Sequence, residues 1–372
     1  MRTIKSFLIG IITFINIAII LFIGFGTLTI INSPRIIIKY RPFKRSLHKF
    51  SNLIGDLTVK SLAISIQFLH QKRWEFIIED EVSMDEWYLA TSNHASWGDV
   101  FCVLAATNFK APLFKIFMKK DLWWLPPVFL ANVTLNMPFV NRHSKQQLEK
   151  NPNLRKLDYQ NTIASCKRFE RQPTTIFSFA EGTRNNPKKH AEQNSPYKNL
   201  LAPKIGGIAL GLSAVPKIDY LLDFTIVYKS KKRSFWDFCI GDLSDVKVFV
   251  KKLRIPESLK RRDYLNDPSY RTEFRDWLDN VWVEKDKLID SVTSRGSFET
   301  NHPFLSAYSQ ESSLKITPPK ITSSPRKPLL FLFVLVVVDP RAKMPKSICL
   351  RSSTSLTYPA TKIPFHSLSI AF

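Results

Sequence analysis

Two short segments concentrate the residue types that do acid–base and anion chemistry. The first is Asn93, His94, Ala95, Ser96, Trp97, Gly98 and Asp99; the second is Phe179, Ala180, Glu181, Gly182, Thr183 and Arg184. Four residues separate His94 from Asp99. If a strand turns into a helix between them, Asp99 falls in the first helical turn. His94 can then fold back and donate a ring N–H to the carboxylate. That contact fixes the tautomer, stabilises the imidazolium and leaves the other nitrogen free as a base. Such a base can take a proton from an alcohol that attacks a thioester, with no serine or cysteine nucleophile. In the second segment Gly182 lets the backbone approach another group closely, and Arg184 can hold a phosphate in bidentate fashion. Lys204, just before Gly206 and Gly207, can add a cation near a helix start. Cys102 could in principle pair with His94 as a nucleophile; a small core residue is the preferred reading. The His–Asp spacing alone is unspecific and needs this context.

The elements that must position these groups are legible around them. Residues 86–92 and 174–179 read as strands, so both segments lie at strand C-terminal ends, where open α/β sheets form their ligand sites. Residues 99–106 read as a helix opening on an acid. Further strands are predicted over 135–140 (an edge strand, because of Pro138), 222–228 and 246–250. Further helices are predicted over 50–70, 153–169 and 205–212. Tyr270, Phe274, Trp277, Val281, Trp282 and Leu288 mark one face of another. Strands alternating with helices give an α/β fold, a mixed and largely parallel sheet flanked by helices.

Residues 7–31 carry no charge. At ~1.5 Å per residue they exceed the ~30 Å hydrocarbon core of a bilayer. Arg2 and Lys5 precede the run; Arg35, Lys39, Arg41, Lys44, Arg45 and Lys49 follow it. This pattern predicts a transmembrane helix with the rest of the chain on the cytoplasmic side. The predicted organisation is residues 1–49 as membrane helix and basic juxtamembrane segment, 50–296 as the chemical domain, and 297–372 as a low-order tail rich in Ser, Pro and Lys. The formal charge of +23 suits a polyanionic partner, nucleic acid or an anionic membrane. The basic residues are dispersed and no nucleic-acid motif with interleaved aromatics appears, so the bilayer is the expected partner and nucleic acid is not. A non-catalytic basic binding protein remains the alternative from another class. The four cysteines are widely spaced and indicate neither a zinc site nor a disulfide framework.

The segment NHASWGD, with FAEGTR about 85 residues later, resembles the glycerolipid (lysophosphatidic acid acyltransferase-like) acyltransferase family. FMKKDLWWLP, NMPFVNRHS and the late FRDWLDNVWVEKDKL bring it nearest to the YihG-type inner-membrane acyltransferases. The resemblance covers roughly residues 1–295. It implies that His94 is the catalytic base and Asp99 its orienting partner. Asn93, Ser96, Lys119, Arg142, Glu181, Gly182, Thr183 and Arg184 would bind substrate, with the phosphate on Arg142 and Arg184. It implies a lysophospholipid acceptor, 1-acyl-sn-glycerol-3-phosphate before others, and an acyl-CoA or acyl carrier protein donor. Neither a metal nor a bound cofactor is expected, and the place is a bacterial-type inner membrane. Two positions depart from the family pattern. Ala180 replaces a proline, and Thr225, Ile226, Val227 and Tyr228 lack the proline of a later block.

Overall fold

The computed structural model describes residues 2–294 apart from 36–37, 39, 120–128, 130–131, 136, 141–152, 263 and 265. The tail predicted over 297–372, Arg142, Trp123 and Trp124 lie outside the described residues.

Two long helices lead the chain: α1 (Arg2–Asn32) and α2 (Arg41–His70). Thr13 meets His70, Gly24 meets Thr58 and Asn32 meets Ser51, so the pair runs antiparallel. Among the described residues α1 holds the one stretch, Ile4–Asn32, long and apolar enough to cross a membrane. It keeps Phe7, Leu8, Ile12, Ile15, Ile19 and Phe22 exposed. The amphipathic helix expected over 50–70 begins earlier, at Arg41, with Pro42 in its first turn, where a missing N–H costs nothing. It therefore runs unbroken through the boundary drawn at 49/50.

The strands are β1 (Glu75–Ile78), β2 (Tyr88–Ser92), β3 (Phe114–Ile116), β4 (Met118–Lys119), β5 (Phe139–Val140), β6 (Thr175–Phe179), β7 (Tyr220–Tyr228) and β8 (Val246–Arg254). Six of them form one sheet in the order β1-β8-β7-β2-β6-β3, and β4 pairs with β5 separately. Every neighbouring pair in the larger sheet is parallel except β7 with β8. All five residues of β2 are buried, as expected of a central strand covered on both faces. The strand read over 135–140 shrinks to β5, because Pro138 cannot donate to a ladder. β8 runs four residues past its apolar stretch, since antiparallel pairing with β7 continues to Tyr220 opposite Arg254.

The helices that follow are α3 (Asp99–Ala106), α4 (Asn153–Cys166), α5 (Pro187–Glu192), α6 (Ile205–Ala214), α7 (Phe235–Cys239) and α8 (Pro268–Ser294). They make a three-layer sandwich. On one face Leu89, Ile176, Leu221 and Val227 pack under α6 and α8 with Phe274 and Trp282. On the other, Tyr88, Ala90, Phe177, Phe224 and Tyr228 pack with Ile66, Val103 and Phe238 from α2, α3 and α7. The two-residue alternation along β7 sends its side chains to opposite layers.

Candidate active site

Strands β2 and β6 lie side by side in register, with Ser92 opposite Phe179. Their C-terminal ends therefore release the two sequence segments at the same edge of the sheet. Asn93 fixes the first exit. Its side-chain amide donates to the Ile226 carbonyl at 2.9 Å, and its carbonyl accepts from the Ile226 N–H at 2.8 Å. The side chain thus extends the pairing of β2 with β7 by one step.

The loop then wraps around one carboxylate. Asp99 is fully buried at the start of α3. Its Oδ2 accepts from His94 Nδ1 at 2.8 Å, Ala95 N–H at 2.6 Å and Ser96 N–H at 2.8 Å. Its Oδ1 accepts from the Tyr228 hydroxyl at 2.6 Å. Four donors converge on two oxygens, which suits a carboxylate held charged in a dry site. Ser96 Oγ accepts from Gly98 N–H at 3.2 Å and so shapes the loop itself. A side chain at Gly98 would sit 2.7 Å from the Phe238 ring, so only glycine lets α7 close under the loop.

The His94 ring stacks on Phe179, centroids 3.9 Å apart and planes 14° apart. With Nδ1 committed to Asp99, Nε2 makes no hydrogen bond among the described residues, and the side chain keeps 17% of its surface accessible. Cys102 is buried, and burial pushes its thiol pKa up, with Asp99 adding to the effect. This fits a core residue and not a thiolate nucleophile.

The second segment turns back beneath the first. Gly182 N–H donates to the Phe179 carbonyl at 2.9 Å, and Gly182 has φ +66°, a left-handed value that favours glycine. The Lys204 side chain lies against its α-carbon. Asn185 N–H donates to the His94 carbonyl at 2.7 Å and ties the two loops together. Thr183 Oγ1 accepts from Lys189 Nζ at 2.5 Å, and the same amine reaches the Arg184 carbonyl at 3.3 Å. The Arg184 guanidinium rests over the Trp97 ring at 4.1 Å. Among the described residues no carboxylate pairs with Arg184, Lys189 or Lys204. Lys204 immediately precedes α6, whose first turn has no side-chain cap.

Glu181 is fully buried, and neither of its carboxylate oxygens has a hydrogen-bond partner of normal geometry. Burial raises its pKa to about 8; the backbone N–H side of His94 and Leu201 and the charge of Lys285 pull it down, and Asp99 pushes it up. Lys285, on α8, is also buried. Its Nζ pairs with Asp223 at 2.7 Å and donates to the Phe224 carbonyl at 2.6 Å and Thr225 Oγ1 at 3.2 Å. Burial lowers the Lys285 pKa and raises that of Asp223.

Of the expected site residues, the structure brings together His94, Asp99, Asn93, Ser96, Glu181, Gly182, Thr183 and Arg184. Asn93 and Ser96 face the protein's own backbone rather than the opening. Lys119 lies on β4, and Arg142 is outside the described residues. Tyr228, Lys189 and Lys285 are additions. Tyr228 had a signal, since it ends the strand read over 222–228; Lys189 and Lys285 were not singled out.

A histidine backed by a buried aspartate thus stands beside a loop carrying Arg184, at the C-terminal edge of the parallel strands of an α/β protein. Comparison with known proteins narrows that class. Residues 73–216 match the model of the family described as Acyltransferase. The chain is 30% identical over 179 residues to the 2-acyl-1-lysophosphatidylinositol acyltransferase of Saccharomyces cerevisiae, covering 44% of each chain. It is 26% identical over 227 residues to an uncharacterized acyltransferase of Schizosaccharomyces pombe, covering 56% of this chain and 61% of that one. The match thus spans less than two thirds of either relative. The crystal structure of the 1-acyl-sn-glycerophosphate acyltransferase of Thermotoga maritima aligns at a TM-score of 0.43 and 16% identity, over 77% of this chain and 98% of that chain. Over residues 73–216 the chain is thus similar to acyltransferases, among them one whose acceptor is a lysophospholipid.

Proposed function

We propose that this protein moves a fatty acyl group from a thioester donor, acyl-CoA or acyl carrier protein, to the free hydroxyl of a lysophospholipid. The observation that carries the reading is the open Nε2 of His94, in a loop tied by the Asn185–His94 backbone bond to the loop of Arg184, a cation with no acidic partner among the described residues. The acceptor phosphate sits on Arg184, Lys189 and Lys204, which brings its hydroxyl to His94. Nε2 takes the hydroxyl proton as the oxygen bonds to the thioester carbonyl carbon. The C–S bond then breaks, and the imidazolium returns the proton to the departing thiolate. Asp99 balances the charge on the ring in between.

Cations at Arg184, Lys189 and Lys204 suit a phosphate monoester, which carries more charge than a diester, and so favour 1-acyl-sn-glycerol-3-phosphate as acceptor. The printed activity of the Saccharomyces relative favours a second acceptor, a lysophosphatidylinositol. The exposed apolar face of α1 supports attachment to a bilayer, and the basic flank over 35–49 supports a cytoplasmic domain. The test is thioester release by the full chain in vesicles against a panel of lysophospholipids, beside His94→Ala. General-base loss should cost about 10⁴-fold in rate. A His94→Ala protein that acylates at the wild-type rate overturns the mechanism.

A further inference from the structure

Trp97 occupies the loop between His94 and Asp99, yet 54% of it is exposed. It contributes nothing to the dyad's hydrogen bonds. It is instead the first of a row of rings. Arg184 lies over its face at 4.1 Å. Its edge meets Phe235 at 6.3 Å, and Phe235 meets Phe14 of α1 at 6.3 Å. Beside them Trp236 packs on Phe7 of α1 at 5.6 Å. Phe7 and Phe14 keep about half their surface exposed, and Trp236 keeps 40%. These ring contacts thus lead from the apolar face of α1 to the ring beneath Arg184. The five-residue α7 supplies its middle, and a capping box of Ser234 and Asp237 fixes that helix.

Building on the reading above, we propose that this row, Trp97–Phe235–Trp236–Phe14–Phe7, seats the single acyl chain of the lysophospholipid acceptor and leads it from the bilayer to His94. The donor's acyl chain is the competing occupant, and the position of Arg184 decides between them. In a lysophospholipid only the glycerol backbone separates the phosphate from the acyl chain. In a CoA or carrier-protein thioester a long pantetheine arm separates them. A guanidinium stacked on the first ring of an apolar row fits the molecule in which charge and chain are adjacent. Aromatic faces also suit a site that is apolar on one side and wet on the other.

The test compares wild type with Phe235→Ala and with the milder, more exposed Trp236→Ala. Each is assayed in phosphatidylcholine vesicles with palmitoyl-CoA and either oleoyl- or hexanoyl-lysophosphatidate as acceptor, with co-sedimentation on the same vesicles. The expected result is chain-length dependence: KM for the oleoyl acceptor rises about tenfold, KM for the hexanoyl acceptor and for the donor less than twofold, and vesicle binding holds. Equal changes for both acceptors, a change confined to the donor KM, or a loss that tracks vesicle binding overturns the assignment. A wild type that moves no acyl group overturns the acyl-transfer reading as well. An active wild type with variants indifferent to chain length overturns this one alone.

Discussion

Asp99→Asn separates the charge of the dyad from its geometry. An asparagine can fill the site, and the donor that loses its acceptor is the Tyr228 hydroxyl. Its carbonyl would take the Oδ2 position and accept from His94 Nδ1, Ala95 N–H and Ser96 N–H, the three bonds of 2.6–2.8 Å that converge there. Its NH2 would face the Tyr228 oxygen, which can accept as readily as it donates. The two backbone amides pin the carbonyl end toward the ring, so Nδ1 keeps its proton and Nε2 stays the base. The attraction between carboxylate and imidazolium is lost, together with the Tyr228 bond to a charged oxygen, so stability falls by no more than Tyr228→Phe lowers it. Two unit charges about 4 Å apart interact by about 4 kcal/mol at an effective dielectric of about 20. The amide dipole retains part of that, which leaves a loss of roughly 10²- to 10³-fold in kcat. The assay is thioester release at saturating acceptor, with thermal unfolding recorded alongside. KM should stay near wild type, and Tm should fall no further than in Tyr228→Phe. Activity within threefold of wild type refutes the electrostatic role. Collapse of the fold refutes the hydrogen-bond reasoning.

Three further perturbations follow from the same contacts. Tyr228→Phe removes a hydrogen bond to a buried charged oxygen, worth about 1.5–3 kcal/mol, and should lower stability by that order in urea titration and kcat by about tenfold. Lys285→Met leaves Asp223 buried with only the weaker influence of Lys251 and should destabilise by about 3–5 kcal/mol, less at acid pH, where Asp223 can protonate; a variant as stable as wild type at pH 8 would contradict the pairing. Glu181 has its folded pKa raised from 4.5 to about 8. Between those values the unfolded chain sheds the proton first, so the group's contribution to stability falls as pH rises. Glu181→Gln should therefore lose less of its urea midpoint than wild type between pH 5 and pH 8.

The parts of this molecule legible in its sequence are those with short-range causes. Helix α3 opens on Asp99 as read, because the acid, the turn and the apolar repeat sit within one segment. The strands before His94 and Glu181 were visible for the same reason. Tyr228 was not visible as a partner of Asp99, since 129 residues separate them and the contact depends on β7 lying next to β2. Lys285 sits among Trp282, Leu288 and Ile289 on a face that periodicity marks as apolar. A lone lysine there is ordinarily taken as a solvated charge; its burial needs Asp223 from a strand more than sixty residues earlier. β1 and β3 were missed because four and three residues are too few to show an alternation.

The strand order also sets a timetable for synthesis. β1 has one neighbour in the sheet, β8, and that strand begins only at Val246. At ribosomal rates of about 5–20 residues per second, the interval between the two strands is on the order of ten seconds or more. Throughout it α1 is already outside the tunnel while the edge of β1 stands open. The Tyr228 that completes the carboxylate's shell emerges late in the same interval. The apolar α1 therefore emerges before Asp99 has its full set of partners, and any factor that shields an unpaired strand edge would act in that window.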